Sequence, residues 1–237
     1  MKREALLRAQ EVVVRFGGLT ALAGVTFEVA AASITGLIGP NGAGKTTLIN
    51  VLSGMTAPTS GRLCWKGAVV DHWGLSKAAR AGVVRTFQGT RVFRDFTVRE
   101  NIGFGELNTG RRTRVDDILA LLSLKHRAEE PAGLLPFGEA RRLGVAMALA
   151  ANPELLLLDE PGAGLTGRDI ELLGESLRRI RAEGKTIVLV DHNMRFVMRN
   201  VDRVVALESG SIIADGTPSE IQVDERVRRA YLGGTHA

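Results

Sequence analysis

Gly39-Pro40-Asn41-Gly42-Ala43-Gly44-Lys45-Thr46 is the stretch that decides how this chain folds. It fits G-x-x-x-x-G-K-[ST] throughout, and its surroundings fit as well. The apolar run 34–38 before it reads as a buried strand, and residues 45–53 after it read as a helix. The residue types follow from the needs of an anion cradle. Glycines let the backbone turn sharply, so that successive N–H groups point inward. The helix opening near Lys45 adds its positive N-terminal end. Lys45 supplies a point charge to the β and γ phosphates, and the Thr46 hydroxyl can ligate Mg²⁺. Gly39 through Thr46, with Thr47 beside them, are therefore expected to bind a nucleoside triphosphate.

Working outward, Leu155-Leu156-Leu157-Leu158-Asp159-Glu160 gives a second buried strand with two carboxylates at its C-terminal end. Ligands of open α/β sheets gather at that edge. Asp159 is placed to hold Mg²⁺ through water, and Glu160 to orient and deprotonate an attacking water. Alone, such a pair could simply cap the next helix; the phosphate loop in the same chain gives it chemistry to do. Before residue 89, strand patterns recur at 12–16, 25–29, 62–65, 68–70 and 83–87. The middle, 89–151, holds only helical patterns, at 98–107, 115–122 and 139–151. Alternation then resumes: strands at 155–159, 186–190 and 204–207, helices at 168–183 and 194–200. A further strand, 211–214, precedes a last helix opened by Thr217-Pro218-Ser219-Glu220, a capping box with proline at the first helical position. The pattern predicts an α/β fold around a mainly parallel sheet, with a helical segment inserted between its two halves.

Composition narrows the function classes. The 237 residues suit one large domain, and 45% hydrophobic with 24% charged residues argues against disorder. The lone Cys64 excludes an internal disulfide and points to a reducing compartment. The first 18 residues contain Arg8, Gln10, Glu11 and Arg15 among the apolar ones and do not read as a signal peptide. No run approaches 18 apolar residues, the length of a membrane-spanning helix. A net charge of +5 would permit an anionic partner, yet only 5% aromatics argues against base stacking, and no nucleic-acid partner is expected.

At this point the motifs carry a family resemblance. The chain resembles an ATP-binding cassette (ABC) ATPase over nearly all its length. The resemblance implies a P-loop NTPase (RecA-like) core with an antiparallel β subdomain, and a helical subdomain inserted at about 89–151 of a single domain, 1–237. Gln88 corresponds to the glutamine that contacts Mg²⁺ and the attacking water. Leu135-Pro136-Phe137-Gly138-Glu139 occupies the signature slot, which implies that Pro136, Phe137, Gly138 and Glu139 face ATP held by an opposite subunit. Gly164-Leu165-Thr166 stands at the D-loop, and His192 matches the switch histidine that contacts the γ-phosphate. Phe16 matches the aromatic that stacks on adenine. Taken singly, His192 reads more readily as a structural histidine, and Phe16 reads equally as a core aromatic.

A narrower likeness lies in Arg15-Phe16-Gly17-Gly18-Leu19, in 82–88, in 92–101, and in the ending Ala230-Tyr231-Leu232-Gly233. These are similar to the ATPase subunit of bacterial branched-chain amino-acid importers. Such a subunit implies hydrolysis of ATP with Mg²⁺, a second ABC ATPase (identical or a sister chain), and integral-membrane permease subunits. It also implies an indirect link to a solute-binding protein and a place on the cytoplasmic face of the cell membrane. The permease surface is expected near 88–96, beside Gln88. Urea or amide importers, the lipopolysaccharide-export ATPase, and a weakly hydrolysing regulatory subunit are the alternative readings. DNA-repair or ribosomal cassettes fit poorly, because 237 residues leave no room for coiled-coil arms or a second cassette. Several residues depart from the family pattern: Pro136 and Glu139 in the signature, Gly144 and Met147 in its helix, Thr166 in the D-loop, and Asp191 and Asn193 around His192. Glu139 would place a carboxylate near phosphate and needs a compensating cation, for which Arg141 and Arg142 are nearby in sequence. The insert also reads as short around 108–114.

Overall fold

The computed structural model describes residues 5–70, 73–86, 92–105 and 114–232. Gln88 and Phe87 lie outside the described residues, as does most of the segment read as a shortened insert. The chain opens with β1 (Ala5–Phe16) and β2 (Leu19–Ala30), then runs through β3 (Ile34–Ile38) into α1 (Lys45–Leu52). It continues with β4 (Ser60–Trp65), β5 (Ala68–Val70), α2 (Leu75–Ala81) and β6 (Val83–Arg85). Helices α3 (Val98–Phe104), α4 (Val115–Leu121) and α5 (Phe137–Ala150) separate β6 from β7 (Leu155–Asp159). Then follow α6 (Gly167–Ala182), β8 (Thr186–Val190), α7 (Met194–Asn200), β9 (Arg203–Glu208) and β10 (Ser211–Gly216). Two short helices, α8 (Pro218–Val223) and α9 (Glu225–Leu232), close the described chain.

Two sheets result. An antiparallel one has the order β2-β1-β4-β5. The other has the order β10-β9-β3-β8-β7-β6 and is parallel except at its edge strand β10. Successive strand side chains point to opposite faces, so residue parity divides the core in two. Ile34, Ile38, Leu156, Leu158, Ile187 and Leu189 face the helices that include α3 to α6. Leu37, Leu155, Leu157, Val188 and Val190 face α1 and the antiparallel sheet. The phosphate loop and the carboxylates of β7 leave the sheet at the same end, as parallel pairing of β3 with β8 and of β8 with β7 requires.

Several elements differ from the sequence reading. β1 and β2 are longer, because β1 bulges where Glu11 takes φ +50° and the pairing shifts between Ala9 and Val12. The bulge moves the buried positions from Leu7 and Ala9 to Val12 and Val14, which breaks the alternation a sequence shows. Helix α2 carries little periodic signal, since Ala78 alone is buried in it. The last helix is in fact two. The Thr217 capping box opens α8 as expected, and Asp224 in extended conformation ends it.

Candidate functional site

The phosphate loop leaves β3 through Gly39, whose φ is +151° and where a Cβ would lie 2.2 Å from the Leu207 carbonyl oxygen. Only glycine passes β9 so closely. Gly44 (φ +102°) takes the N-cap position of α1, so the open amides of that helix face the loop. Lys45 is buried, and its Nζ donates to the carbonyls of Gly39 (2.7 Å) and Pro40 (2.9 Å). Burial holds its pKa below the usual lysine value, while Glu160 and Asp159 pull it back up. Asn41, Gly42 and Thr46 are exposed, Pro40 and Thr47 are half-buried, and Ala43 packs into the core. Phe16 ends β1 with half its surface exposed, so the core alternative for this ring does not hold.

At the end of β7, Asp159 is enclosed and its backbone N–H donates to Thr86 Oγ1. Its Oδ2 faces Arg85 Nη2 at 3.3 Å, and Arg85 Nη1 donates to Asn50 Oδ1 at 2.6 Å. No motif or spacing marks this pair, which joins β6 to β7. Burial raises the Asp159 pKa, with Arg85 as the main opposing influence. Asp159 Oδ1 is buried without a hydrogen-bond partner among the described residues. A buried carboxylate oxygen lacking a donor suits a hydrated cation, and with the exposed Thr46 hydroxyl it supplies the hard oxygens that Mg²⁺ takes. No group of three or more His, Cys, Asp or Glu able to hold a metal occurs among the described residues, so such an ion would lean on substrate phosphates for further ligands.

Glu160 follows in a left-handed turn (φ +52°), and its Oε1 lies 2.6 Å from His192 Nε2. The pair thus meets across the ends of β7 and β8. Asp191 is buried and ties this turn to the D-loop side. Its Oδ2 accepts from the Gly162 N–H (2.8 Å) and its Oδ1 from the Asn193 N–H (2.9 Å). Burial raises its pKa and these two bonds oppose the rise. Asn193 then caps α7 by accepting from the Phe196 N–H.

The signature residues open α5. Pro136 is its N-cap, Phe137 is exposed, and Gly138 is buried so tightly that a Cβ would lie 2.2 Å from Asp169 Cγ. Glu139 is indeed compensated, by Arg142 of the two arginines near it in sequence and more closely by Arg127, with His126 beside it. His126 Nε2 lies 2.9 Å from its Oε1, Arg127 Nε 3.0 Å from its Oε2, and Arg142 Nη2 3.9 Å away. Arg141 turns elsewhere: its guanidinium covers the Phe137 ring at 5.2 Å and donates to the Ala163 carbonyl. Among the described residues, no hydrogen bond or ion pair joins 135–139 to 39–47 within the chain.

One organising residue carries no role in the sequence reading. Asn101, fully buried on α3, donates to the carbonyls of Phe93, Phe96 and Thr97 and accepts from the Phe93 N–H. It holds a turn that presents Phe93 and Phe96 to solvent, edge-to-face with each other and with Phe104.

Known proteins resemble this chain in sequence and in fold. The ABC transporter family profile matches residues 22–163, and that of the branched-chain amino acid ATP-binding cassette transporter matches 211–237. The high-affinity branched-chain amino acid transport ATP-binding protein LivG of Salmonella typhimurium is 38% identical, over 97% of this chain and 98% of that one. The protein of the same description, BraF of Pseudomonas aeruginosa, is 36% identical over 96% and 98%. Among solved structures, the ADP conformation of an ATP-binding cassette of an ABC transporter superposes with a TM-score of 0.89 at 28% identity, covering 97% of this chain and 99% of that one. With its phosphate loop, its β7 carboxylates and this likeness over almost its whole length, the chain belongs to the ABC transporter family, as an ATP-binding ATPase subunit.

Proposed function

We propose that this chain hydrolyses ATP to drive import of branched-chain amino acids, as one of two cassettes docked beneath a membrane permease. One observation carries the catalytic part: Lys45, Asp159 and the Glu160–His192 pair share one end of the central sheet. The likeness to LivG and BraF along the whole chain supports the solute class.

In this reading the amides of 39–47 and the Lys45 ammonium bind the β and γ phosphates, and Phe16 stacks on the adenine. Mg²⁺, held by Thr46, Asp159 and Gln88, would draw charge from the phosphate oxygens. Glu160 takes a proton from water as the water oxygen bonds to the γ-phosphorus. The bond from that phosphorus to the bridging oxygen breaks and leaves ADP. His192 keeps Glu160 oriented beforehand and then meets the γ-phosphate. Catalysis is positioning and electrostatics, with no covalent step on the protein.

The other face of that phosphate belongs to a second cassette, identical or a sister chain. Pro136, Phe137, Gly138 and Glu139 of each would close over ATP in the other. That no hydrogen bond or ion pair joins 135–139 to 39–47 among the described residues is consistent with that arrangement. Pairing of Glu139 with the Arg127 guanidinium supports a signature that tolerates phosphate, and so favours a working ATPase over a regulatory subunit. The segment 89–151 acts as the helical subdomain, and the Phe93–Phe96 turn is the permease contact. The cassette works at the cytoplasmic face of the membrane, with a solute-binding protein delivering solute from outside. No helix among the described residues is long and apolar enough to cross a membrane.

Glu160→Gln tests the reading. ATP binding is retained, an ATP-dependent dimer accumulates on size exclusion, and turnover falls by about a hundredfold or more. Unchanged turnover would sink the assignment. Phe93→Ala or Arg94→Glu is expected to weaken capture of the permease, and intact binding in both would move the contact elsewhere.

A further inference from the structure

The last helix of the described chain touches the first residue of the phosphate loop. The Gly39 N–H donates to the Tyr231 hydroxyl at 2.8 Å, across 192 residues of sequence. The bond sits where the sheet stops helping. The pairing of β3 with β9 ends at Ile38 opposite Ala206, and that with β8 ends at Leu37 opposite Val190. The next amide along, that of Gly39, falls beyond both ladders. Of the glycines in the loop, Gly39 also leaves the least room for a Cβ, pressed against the Leu207 carbonyl at φ +151°. A buried amide that loses its acceptor is costly, so the local backbone would rearrange before leaving it bare.

Helix α9 is built to hold the phenol there. Val227 and Ala230 bury one side of it in the core, while Arg226, Arg228 and Arg229 stay exposed. Tyr231 lines a groove of about 470 Å³ with Met194 and Met198 of α7 and with Ile221 of α8. Burial raises the phenol pKa, with the Gly39 hydrogen bond opposing, so the hydroxyl keeps its proton near neutral pH. The Gly39 carbonyl also accepts from the Lys45 ammonium, so Tyr231 and Lys45 hold the start of the loop from its N–H and its carbonyl sides.

We propose that Tyr231 is a positioning residue for the phosphate loop: it pre-shapes Gly39 for nucleotide and makes the docking of α9 a condition of tight binding. This inference rests on the nucleotide-binding reading of residues 39–47. Affinity gained by pre-organisation is lost when the organising bond is removed, even though that bond never touches the ligand.

Tyr231→Phe in the full chain keeps the ring in its groove and removes only the hydroxyl. Amide exchange followed by mass spectrometry on the nucleotide-free protein is expected to be about three- to tenfold faster in peptides covering 36–44, the range set by one hydrogen bond, with β10 peptides unmoved. The ADP dissociation constant and the KM for ATP should rise by the same factor, with a smaller change in kcat. Loop exchange equal to wild type, or faster exchange with an unaltered ADP constant, overturns the proposal. So does equal acceleration across β10, which would mean that α9 merely braces the fold. Failure of the wild-type chain to bind ADP would instead refute the nucleotide site, since the exchange measurement needs no nucleotide.

Discussion

The enclosed ion pair between Arg85 and Asp159 gives the sharpest stability test. Both side chains are almost fully covered, at 6% and 3% exposed, with Nη2 and Oδ2 3.3 Å apart. Arg85→Ala leaves a carboxylate shut in with Oδ1 already unpartnered among the described residues and Oδ2 stripped of its cation. Removing one member of a buried pair costs about 3–5 kcal/mol. For a chain of 237 residues each kcal/mol is worth about 2–4 °C, so the melting temperature should fall by roughly 10 °C. The lost hydrogen bond to Asn50 accounts for about 1 kcal/mol of this. Adding Asp159→Asn removes the stranded charge and should restore about 2–3 kcal/mol.

The penalty also depends on pH. Burial raises the Asp159 pKa, Arg85 lowers it, Glu160 raises it, and His192 and Lys45 lower it. Without Arg85 it climbs further above its unfolded value. A carboxylate shifted that way contributes stability that is full below the unfolded pKa and is lost as pH rises through the folded one. The Arg85→Ala penalty is therefore largest near neutral pH and shrinks as the pH falls toward the carboxylate range. Urea unfolding of the nucleotide-free chain, followed by Trp65 and Trp73 fluorescence at two pH values, measures all of this. A loss under about 1 kcal/mol, no pH dependence, or no recovery with Asn refutes the reasoning.

Asn101→Ala deletes four hydrogen bonds from a fully buried side chain. It should cost about 2–3 kcal/mol in urea unfolding and speed amide exchange at 92–97. Gly39→Ala drives a Cβ to 2.2 Å from the Leu207 carbonyl, so ADP affinity measured by calorimetry should fall by about tenfold or more in a chain that still folds. Glu139→Gln leaves Arg127 and Arg142 in place with one negative charge fewer at the start of α5. ATP-dependent dimerisation on size exclusion should strengthen several-fold, and weakening would show that the carboxylate itself is needed.

What could be read from the sequence was local. The phosphate loop and the strand ending in Asp159 and Glu160 each depend on fewer than ten consecutive residues, and both stand where spacing put them. The Thr217 capping box was equally legible, because its partners are three residues apart. Contacts between distant segments were not. Arg127 lies 12 residues from Glu139, and only the packing of the insert turns it toward that carboxylate while Arg141 turns to Phe137. The Arg85–Asp159 pair and the Tyr231–Gly39 bond link residues 74 and 192 positions apart. No periodicity encodes them. The start of β1 was hidden for a different reason, since a bulge at Glu11 reverses which parity is buried.

The Lys45 ammonium is already wrapped by two carbonyls of its own loop, so nucleotide binding at the proposed site would be an exchange reaction. An incoming anion must outbid a solvent shell that the protein itself provides. A lone monoanion offers one weak replacement for two good acceptors and gains little. A polyphosphate brings several oxygens of high charge at once and gains much. On the proposed reading, discrimination in favour of triphosphate would start from this self-coordination of Lys45.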